Sequence, residues 1–159
     1  MRLFSGTKGP KNSLLTSELF DEKTFYDTFV NDLLQCEEEV IIESPFITTE
    51  RMKTFRPIFN KLLAKNVKIF VITRAPQEHE PEFAYQVEVE ISNFERIGVQ
   101  TLLCVGNHHR KLAILDRKIL WEGSLNILSQ THSREVMRQI KGEETALQMF
   151  NFLKLSQFI

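Results

Sequence analysis

The sequence predicts an α/β domain whose mixed sheet carries helices on both faces, and three observations support this fold class. Short apolar runs rich in β-branched residues, which are typical of buried strands, begin near residues 40, 67 and 99. Segments with apolar residues at helical spacing lie before and between them. This alternation predicts parallel strands joined by crossover helices. Beyond residue 110 the strand-like runs follow one another closely, which predicts antiparallel pairing.

Length and composition suit one compact domain spanning residues 1–159. The chain has 159 residues, of which 42% are hydrophobic and 13 are Phe, so it can bury a core and does not resemble a disordered chain. No stretch approaches the ~20 apolar residues of a membrane span, and no apolar leader opens the chain. Cys36 and Cys104 fit no ligand pattern and are expected to be buried thiols. We therefore expect a soluble, cytoplasmic protein.

The first third of the chain predicts a helix, a strand and a second helix. Two interpretations stay open for residues 1–15: a strand followed by a loop, or a partly disordered segment. Asp21 is the expected N-cap of a helix that ends near Gln35, and the acidic run 37–39 is expected to be a solvated turn. Residues 40–42 form a buried strand, and Thr48 or Thr49 caps the next helix.

That second helix should be kinked by Pro57, or begin there, and should stop at a left-handed Asn66. Residues 67–73 are predicted to be a buried strand. Pro81 suits the first turn of a third helix, which Gly98 ends.

The last third of the chain predicts several strands and a final helix. A third buried strand is expected at residues 99–105. Three closely spaced strands are expected at residues 111–115, 119–122 and 135–140. The final helix opens with Glu143 and Glu144 at its positive end.

The stretch from Asn107 to Asn126 contains the residues that suggest a chemical function. His109 and Lys111 are two positions apart, so on a strand their side chains point to the same face. An imidazole can act as a nucleophile or an acid at neutral pH, and an ammonium can hold a phosphate oxygen. Ser124 adds a hydroxyl and Asn126 an amide donor. Together these groups suit the transition state of a phosphodiester reaction.

The spacing H-x-K-x(4)-D, followed by G-S-x-N, resembles the catalytic motif of the phospholipase D superfamily. It runs from His109 through Lys111 and Asp116 to residues 123–126, and a strand ending in Ser44-Pro45 adds to the resemblance. The resemblance implies the fold already predicted and a phosphodiesterase activity.

It also implies a role for each site residue. His109 would attack phosphorus and form a phosphohistidine, and a second motif histidine would serve as acid and then as base. Lys111 and Asn126, with Ser124 beside them, would bind the phosphoryl oxygens. Glu135, nine residues beyond Asn126, would orient the imidazole. Asp116 belongs to the motif and to the catalytic set, but its place at the far end of the strand favours a structural role.

The chain has a single copy of the motif, whereas the phospholipases of this superfamily carry two in one chain. The resemblance therefore implies a homodimer with a shared active site, like the small single-motif nucleases, and it requires no metal or other cofactor. His108 precedes the motif histidine and should face the other way. A metal site built on these two histidines is disfavoured, because no carboxylate cluster stands nearby.

Nucleic acid, either DNA or RNA, is the favoured substrate and partner. The net charge of the whole chain is only −1, but residues 101–141 are locally basic. This segment contains more basic than acidic residues. The seven basic residues are Arg110, Lys111, Arg117, Lys118, Arg134, Arg138 and Lys141, and the three acidic residues are Asp116, Glu122 and Glu135. Two alternatives stay open. One is a phospholipase or phosphatidyl transferase acting on lipid, and the other is an inactive domain that only binds nucleic acid.

Overall fold

The structure is a computed structural model, and it describes residues 16–130 and 132–159. In these two ranges, seven strands form one sheet: β1 (Thr16–Asp21), β2 (Glu39–Glu43), β3 (Lys68–Arg74), β4 (Gln100–Cys104), β5 (Leu112–Leu115), β6 (Ile119–Gly123) and β7 (Val136–Lys141). The described residues also form four α-helices: α1 (Phe25–Leu34), α2 (Thr49–Ala64), α3 (Pro81–Ile97) and α4 (Glu143–Phe152). Short 3₁₀ helices lie at Pro76–Glu78 and Leu155–Gln157.

The sheet is mixed, as predicted, with the strand order β1-β7-β6-β5-β2-β3-β4. Strands β2, β3 and β4 are parallel and are joined by the crossover helices α2 and α3. All other pairings are antiparallel. The carboxyl ends of β2, β3 and β4 and the amino end of β5 therefore meet at the same edge of the sheet.

Helices cover both faces of the sheet, which confirms the predicted architecture. On one face α1, α2 and α3 pack on alternate residues of β2 and β3, and the Trp121 ring is buried there among the aromatic side chains of α1. On the other face α4 buries Ala146 and Phe150 against Ile41, Ile114 and their neighbours. Each strand of the sheet centre thus contributes apolar side chains to both layers, as its continuous apolar run requires.

The element boundaries agree with several sequence signals. Thr48 is the N-cap of α2, and its side chain accepts a hydrogen bond from the backbone N–H of Arg51. Pro57 lies inside α2 and does not mark its start. Asn66 has the expected left-handed conformation, with φ of 64°, and Gly98 closes α3 with φ of 100°.

Other expectations were wrong. Thr24, not Asp21, is the N-cap of α1, and the Asp21 carboxylate instead accepts hydrogen bonds within the preceding turn. The acidic run is only partly solvated, since Glu39 is buried and begins β2. Strand β4 is an edge strand rather than a buried one, and Leu103 on it is 52% exposed.

Strand β1 forms the other edge of the sheet. Strand β1 was not predicted, because its polar sequence lacks an apolar run; it forms by pairing with β7. The expectation for residues 1–15 lies outside the described residues.

Cys36 is buried as expected, whereas Cys104 is only partly buried because it ends the edge strand. Within the described ranges, no helix combines the length and the apolar character needed to cross a bilayer.

Candidate active site

The segment that carries His109 crosses one edge of the sheet. Residues 105–111, called here the His109 loop, leave the carboxyl end of β4 and enter the amino end of β5 without forming regular secondary structure. Because β3 and β2 lie between these two strands, the loop passes over their carboxyl ends. Ligands commonly bind at this edge of open α/β sheets.

His109 and Lys111 lie in contact, although both belong to the loop before β5 and not to a strand as expected. The ammonium nitrogen of Lys111 is 3.1 Å from Nδ1 and 3.2 Å from Nε2 of the imidazole, and it donates to the backbone carbonyl of His109 at 2.8 Å. His109 is exposed, whereas Lys111 is buried. Burial lowers the pKa of Lys111, nearby Arg74 lowers it further, and the charge of Glu135 opposes both effects. An accessible imidazole is thus paired with a cation held in place.

The G-S-x-N segment lies beside Lys111 because β5, β6 and β7 are neighbours. The backbone N–H of Gly123 is 3.3 Å from the carbonyl of Lys111, and Ser124 N–H donates to the carbonyl of Val136 at 2.9 Å. A Cβ at residue 123 would lie 2.1 Å from the Val136 carbonyl oxygen. Glycine is therefore required here by the close approach of β7, which explains its place in the motif.

Glu135 contacts two serines and not the imidazole. Its carboxylate accepts hydrogen bonds from the hydroxyls of Ser124 and Ser133. Ser124 Oγ also accepts from the N–H of Val136 at 3.0 Å. Among the described residues, His109 has no hydrogen bond to Glu135. The structure thus brings Glu135 and Ser124 together, while the predicted bond between Glu135 and His109 is not formed.

Asn126 belongs to the segment beside Lys111, whereas Asp116 lies outside the site region. The side-chain oxygen of Asn126 is buried and has no hydrogen-bond partner within the described part of the chain. Asp116 follows β5 at the end opposite Lys111, and its carboxylate accepts 2.9 Å hydrogen bonds from the N–H groups of Glu37, Glu38 and Glu39. The geometry assigns Asp116 contacts to backbone and none to His109 or Lys111.

Arg74 belongs to the site region but was not identified from the sequence. It ends β3, and its guanidinium donates to the carbonyl of His108 at 3.1 and 2.9 Å while lying 5.0 Å from the centre of the Phe46 ring. The available signal was its position directly after a buried parallel strand, where binding residues often lie. With Lys111 it adds positive charge beside His109.

His108 faces away from His109, as predicted. It is buried, and its Nε2 lies 3.6 Å from the carboxylate of Glu43. Burial and, next, the charges of Arg110 and Arg74 lower the pKa of His108 to about 4. This imidazole is therefore neutral at neutral pH. Within residues 16–130 and 132–159, no three His, Cys, Asp or Glu side chains are grouped closely enough to hold a metal ion.

The chain belongs to the phospholipase D superfamily. Residues 29–154 match the protein-family model described as "Cardiolipin synthase, PLD-like domain". The superfamily includes phosphodiesterases and nucleases, and membership of it supports a hydrolase-type enzyme. No curated protein matches the chain.

Solved structures share the fold at low sequence identity. NucT from Helicobacter pylori is 18% identical, with a TM-score of 0.65 over 88% of this chain and 94% of that one. Nuc from Salmonella typhimurium, a phospholipase D family member, is 13% identical, with a TM-score of 0.68 over 88% of this chain and 92% of that one. Phosphatidylserine synthase from Haemophilus influenzae Rd KW20 is 13% identical, with a TM-score of 0.66 over 98% of this chain and 40% of that one.

Proposed function

We propose that the chain is a metal-independent phosphodiesterase that cleaves nucleic acid at an active site shared by two copies. The contact between His109 and Lys111, inside the spacing that resembles the family motif, carries this proposal. The imidazole is accessible to a substrate, and the ammonium beside it can hold an oxygen of the phosphodiester.

In the first step a ring nitrogen of His109 attacks phosphorus, and the bond from phosphorus to the leaving oxygen breaks. The leaving oxygen takes a proton from the same histidine of a second copy. In the second step that histidine removes a proton from water, which attacks the phosphohistidine and frees His109. Lys111, Arg74 and Asn126 supply donors for the negative charge that develops on the phosphoryl oxygens. Glu135 holds the Ser124 hydroxyl in place.

A second copy is needed because one chain supplies one motif histidine. We assign its docking surface to an apolar groove of roughly 580 Å³ beside the site, lined in part by Arg110, Lys111 and Leu112. Large apolar side chains are exposed on its walls, with Phe152 78%, Leu19 62% and Val136 51% exposed. A copy bound here would cover these side chains and bring its own loop towards Lys111. Two-fold closure is the commonest way to bring two copies of one residue together.

A lipid phosphodiester is the second candidate substrate, and the same groove favours it. Acyl chains could lie against Leu19, Val136 and Phe152 while the phosphate reaches Lys111. The local excess of basic residues between 101 and 141 favours a polyanion instead. A direct assay with both substrates therefore decides between nucleic acid and lipid.

The test incubates the purified chain with labelled single-stranded DNA, RNA and phosphatidylcholine vesicles, with and without a chelator. We expect cleavage of nucleic acid that the chelator does not reduce. A ³²P label should appear on the protein as an acid-labile adduct. Activity only on vesicles would select the lipid alternative, and activity lost in chelator and restored by magnesium would contradict metal independence.

Two variants make the test specific for the site. His109→Ala should abolish both cleavage and the labelled adduct. Lys111→Ala should lower kcat by about 10²–10³-fold, whereas Lys118→Ala, which removes an exposed lysine beyond the other end of β5, should leave it unchanged. Equal losses in the two lysine variants would contradict a local role for Lys111.

A further inference from the structure

Strand β2 carries a buried glutamate at each end, and each pairs with an arginine that flanks the neighbouring strand β5. Glu39 is 8% exposed, and its carboxylate accepts from Nε of Arg117 at 2.5 Å and from Nη2 at 3.2 Å. Glu43 is fully buried and accepts from Nε of Arg110 at 2.8 Å and from Nη2 at 3.4 Å. The two pairs use the same chemistry at opposite ends of the same strands.

Only the second pair lies at the site, and Glu43 contacts the residues on both sides of His109. Arg110 follows His109 and His108 precedes it, with Nε2 of His108 lying 3.6 Å from the Glu43 carboxylate. A single buried carboxylate therefore lies beside both neighbours of the candidate nucleophile, and it accepts hydrogen bonds from Arg110.

The rest of the His109 loop is also held by side chains from the edge of the sheet. Arg74 donates to the carbonyl of His108, and Glu78 accepts from the N–H groups of Gly106 and Asn107 at 2.6 and 3.3 Å. Residues 105–110 pair with no strand. The conformation of the loop thus depends on these side-chain contacts.

The imidazole of His109 has little else to fix it. Its one side-chain hydrogen-bond contact among the described residues is with Lys111, and the Glu135 carboxylate bonds Ser124 and Ser133 instead. Orientation of the nucleophile must therefore come from the backbone that carries it.

We propose that Glu43 is a positioning residue for phosphodiester cleavage, which fixes His109 by holding Arg110, the residue directly after it. The inference rests on the proposed function for its catalytic consequence. Glu43 is fully buried and does not reach the substrate. Its loss lets the loop relax, and a misplacement of about 1 Å at a nucleophile can lower the rate about 10²-fold.

Matched variants at the two ends of β2 test this proposal. Glu43→Gln and Glu39→Gln each remove one buried charge from an arginine pair, so both should lower stability. After correction for the folded fraction, Glu43→Gln should reduce kcat about 10- to 100-fold with KM little changed, and Glu39→Gln should retain full kcat. Equal kcat in the two variants would overturn the proposal.

A second pair of variants covers the case in which the glutamine variants do not fold. Arg110 and Arg117 are 51% and 41% exposed, so Arg110→Lys and Arg117→Lys leave the core intact. Lysine keeps the charge but loses the two-pronged geometry. Arg110→Lys should lower kcat, as Glu43→Gln should, whereas Arg117→Lys should leave kcat unchanged.

Nuclear magnetic resonance of ¹⁵N-labelled histidine supplies a readout that needs no activity. The ring signals of His109, assigned with His109→Ala, should shift and broaden in Arg110→Lys and stay unchanged in Arg117→Lys. Unchanged His109 signals in both variants would overturn the positioning role. A wild-type chain that cleaves no phosphodiester would instead refute the proposed function, and the same resonance comparison with Glu43→Gln and Glu39→Gln would still decide whether Glu43 positions His109.

Discussion

Gly123 shows how a single missing Cβ permits the motif to lie against its neighbouring strand. A Cβ there would meet the Val136 carbonyl oxygen at 2.1 Å and the Met137 Cα at 2.9 Å, and neither backbone atom can move aside cheaply. We expect Gly123→Ala to lower the free energy of unfolding by roughly 2–3 kcal/mol, measured by urea denaturation. Gln100→Ala, at an exposed strand position, is the control and should change it by under about 0.5 kcal/mol.

His108 gives a prediction about stability and pH. The pKa of the folded imidazole is about 4, below the ordinary value of about 6.5, because of burial and then the charges of Arg110 and Arg74. Between these values the unfolded chain binds a proton that the folded chain does not, so stability falls as pH drops from 6.5 to 4. Glu43 faces the same ring and acts in the opposite direction, since burial raises the pKa of its carboxyl group.

We therefore expect wild-type stability to decline more steeply on acidification than that of His108→Gln. Across this range the difference between the two curves should change by roughly 2–3 kcal/mol. Chemical denaturation at several pH values measures it. Since Glu43 is present in both proteins, the difference isolates the imidazole, and parallel curves would contradict the prediction.

At the scale of elements, Asp116 joins the end of β5 to the start of β2. Its carboxylate accepts three backbone hydrogen bonds, from residues 37, 38 and 39. Asp116→Ala should lower the free energy of unfolding by roughly 2–4 kcal/mol because three N–H groups lose a charged acceptor. Turnover per folded molecule should be kept.

The exposed carboxylate of Asp27 on α1 provides the control, and Asp27→Ala should have little effect on either quantity. Thermal unfolding and kinetics at matched folded fraction distinguish the two roles. A stable Asp116→Ala protein with strongly reduced kcat would give this residue a chemical role instead.

For the whole molecule, the shared site predicts how mixed assemblies behave. If each dimer holds one site built from two His109 side chains, a dimer of wild-type and His109→Ala chains lacks either the nucleophile or the acid. Equal mixing with free exchange leaves about a quarter of the dimers intact, so activity should fall to about a quarter and not to a half. Isolated mixed dimers, prepared with one tagged chain, should be nearly inactive. Half the wild-type activity in that species, or full activity in a monomer, would contradict the shared site.

The site could be anticipated from the sequence where its contacts are local. His109 and Lys111 were expected to share a face because they are two residues apart on a predicted strand. They do lie in contact, although in the loop that precedes β5. The buried central strands and the crossover helices also follow from local apolar periodicity, which depends on neighbouring residues alone.

Strand order and edges could not be predicted in this way, because they depend on which distant segments pair. The apolar run at β4 is typical of a central strand, yet β4 lies at the edge of the sheet with Leu103 exposed. The polar strand β1 exists because β7 offers it hydrogen bonds. Local pattern indicates that a segment forms a strand, but the global topology decides its neighbours.

The sequence by itself determined the chemical groups of the site and their order along the chain. Only the tertiary structure decided what holds those groups in place. Glu43 lies 67 positions before Arg110, and the antiparallel pairing of β2 with β5 brings the two together. The Glu135 carboxylate, expected to orient His109, is held by Ser124 across the junction of β6 and β7. For Glu43 the reason is that a buried carboxylate must find a donor in the folded chain, and the fold determines which donor lies within reach.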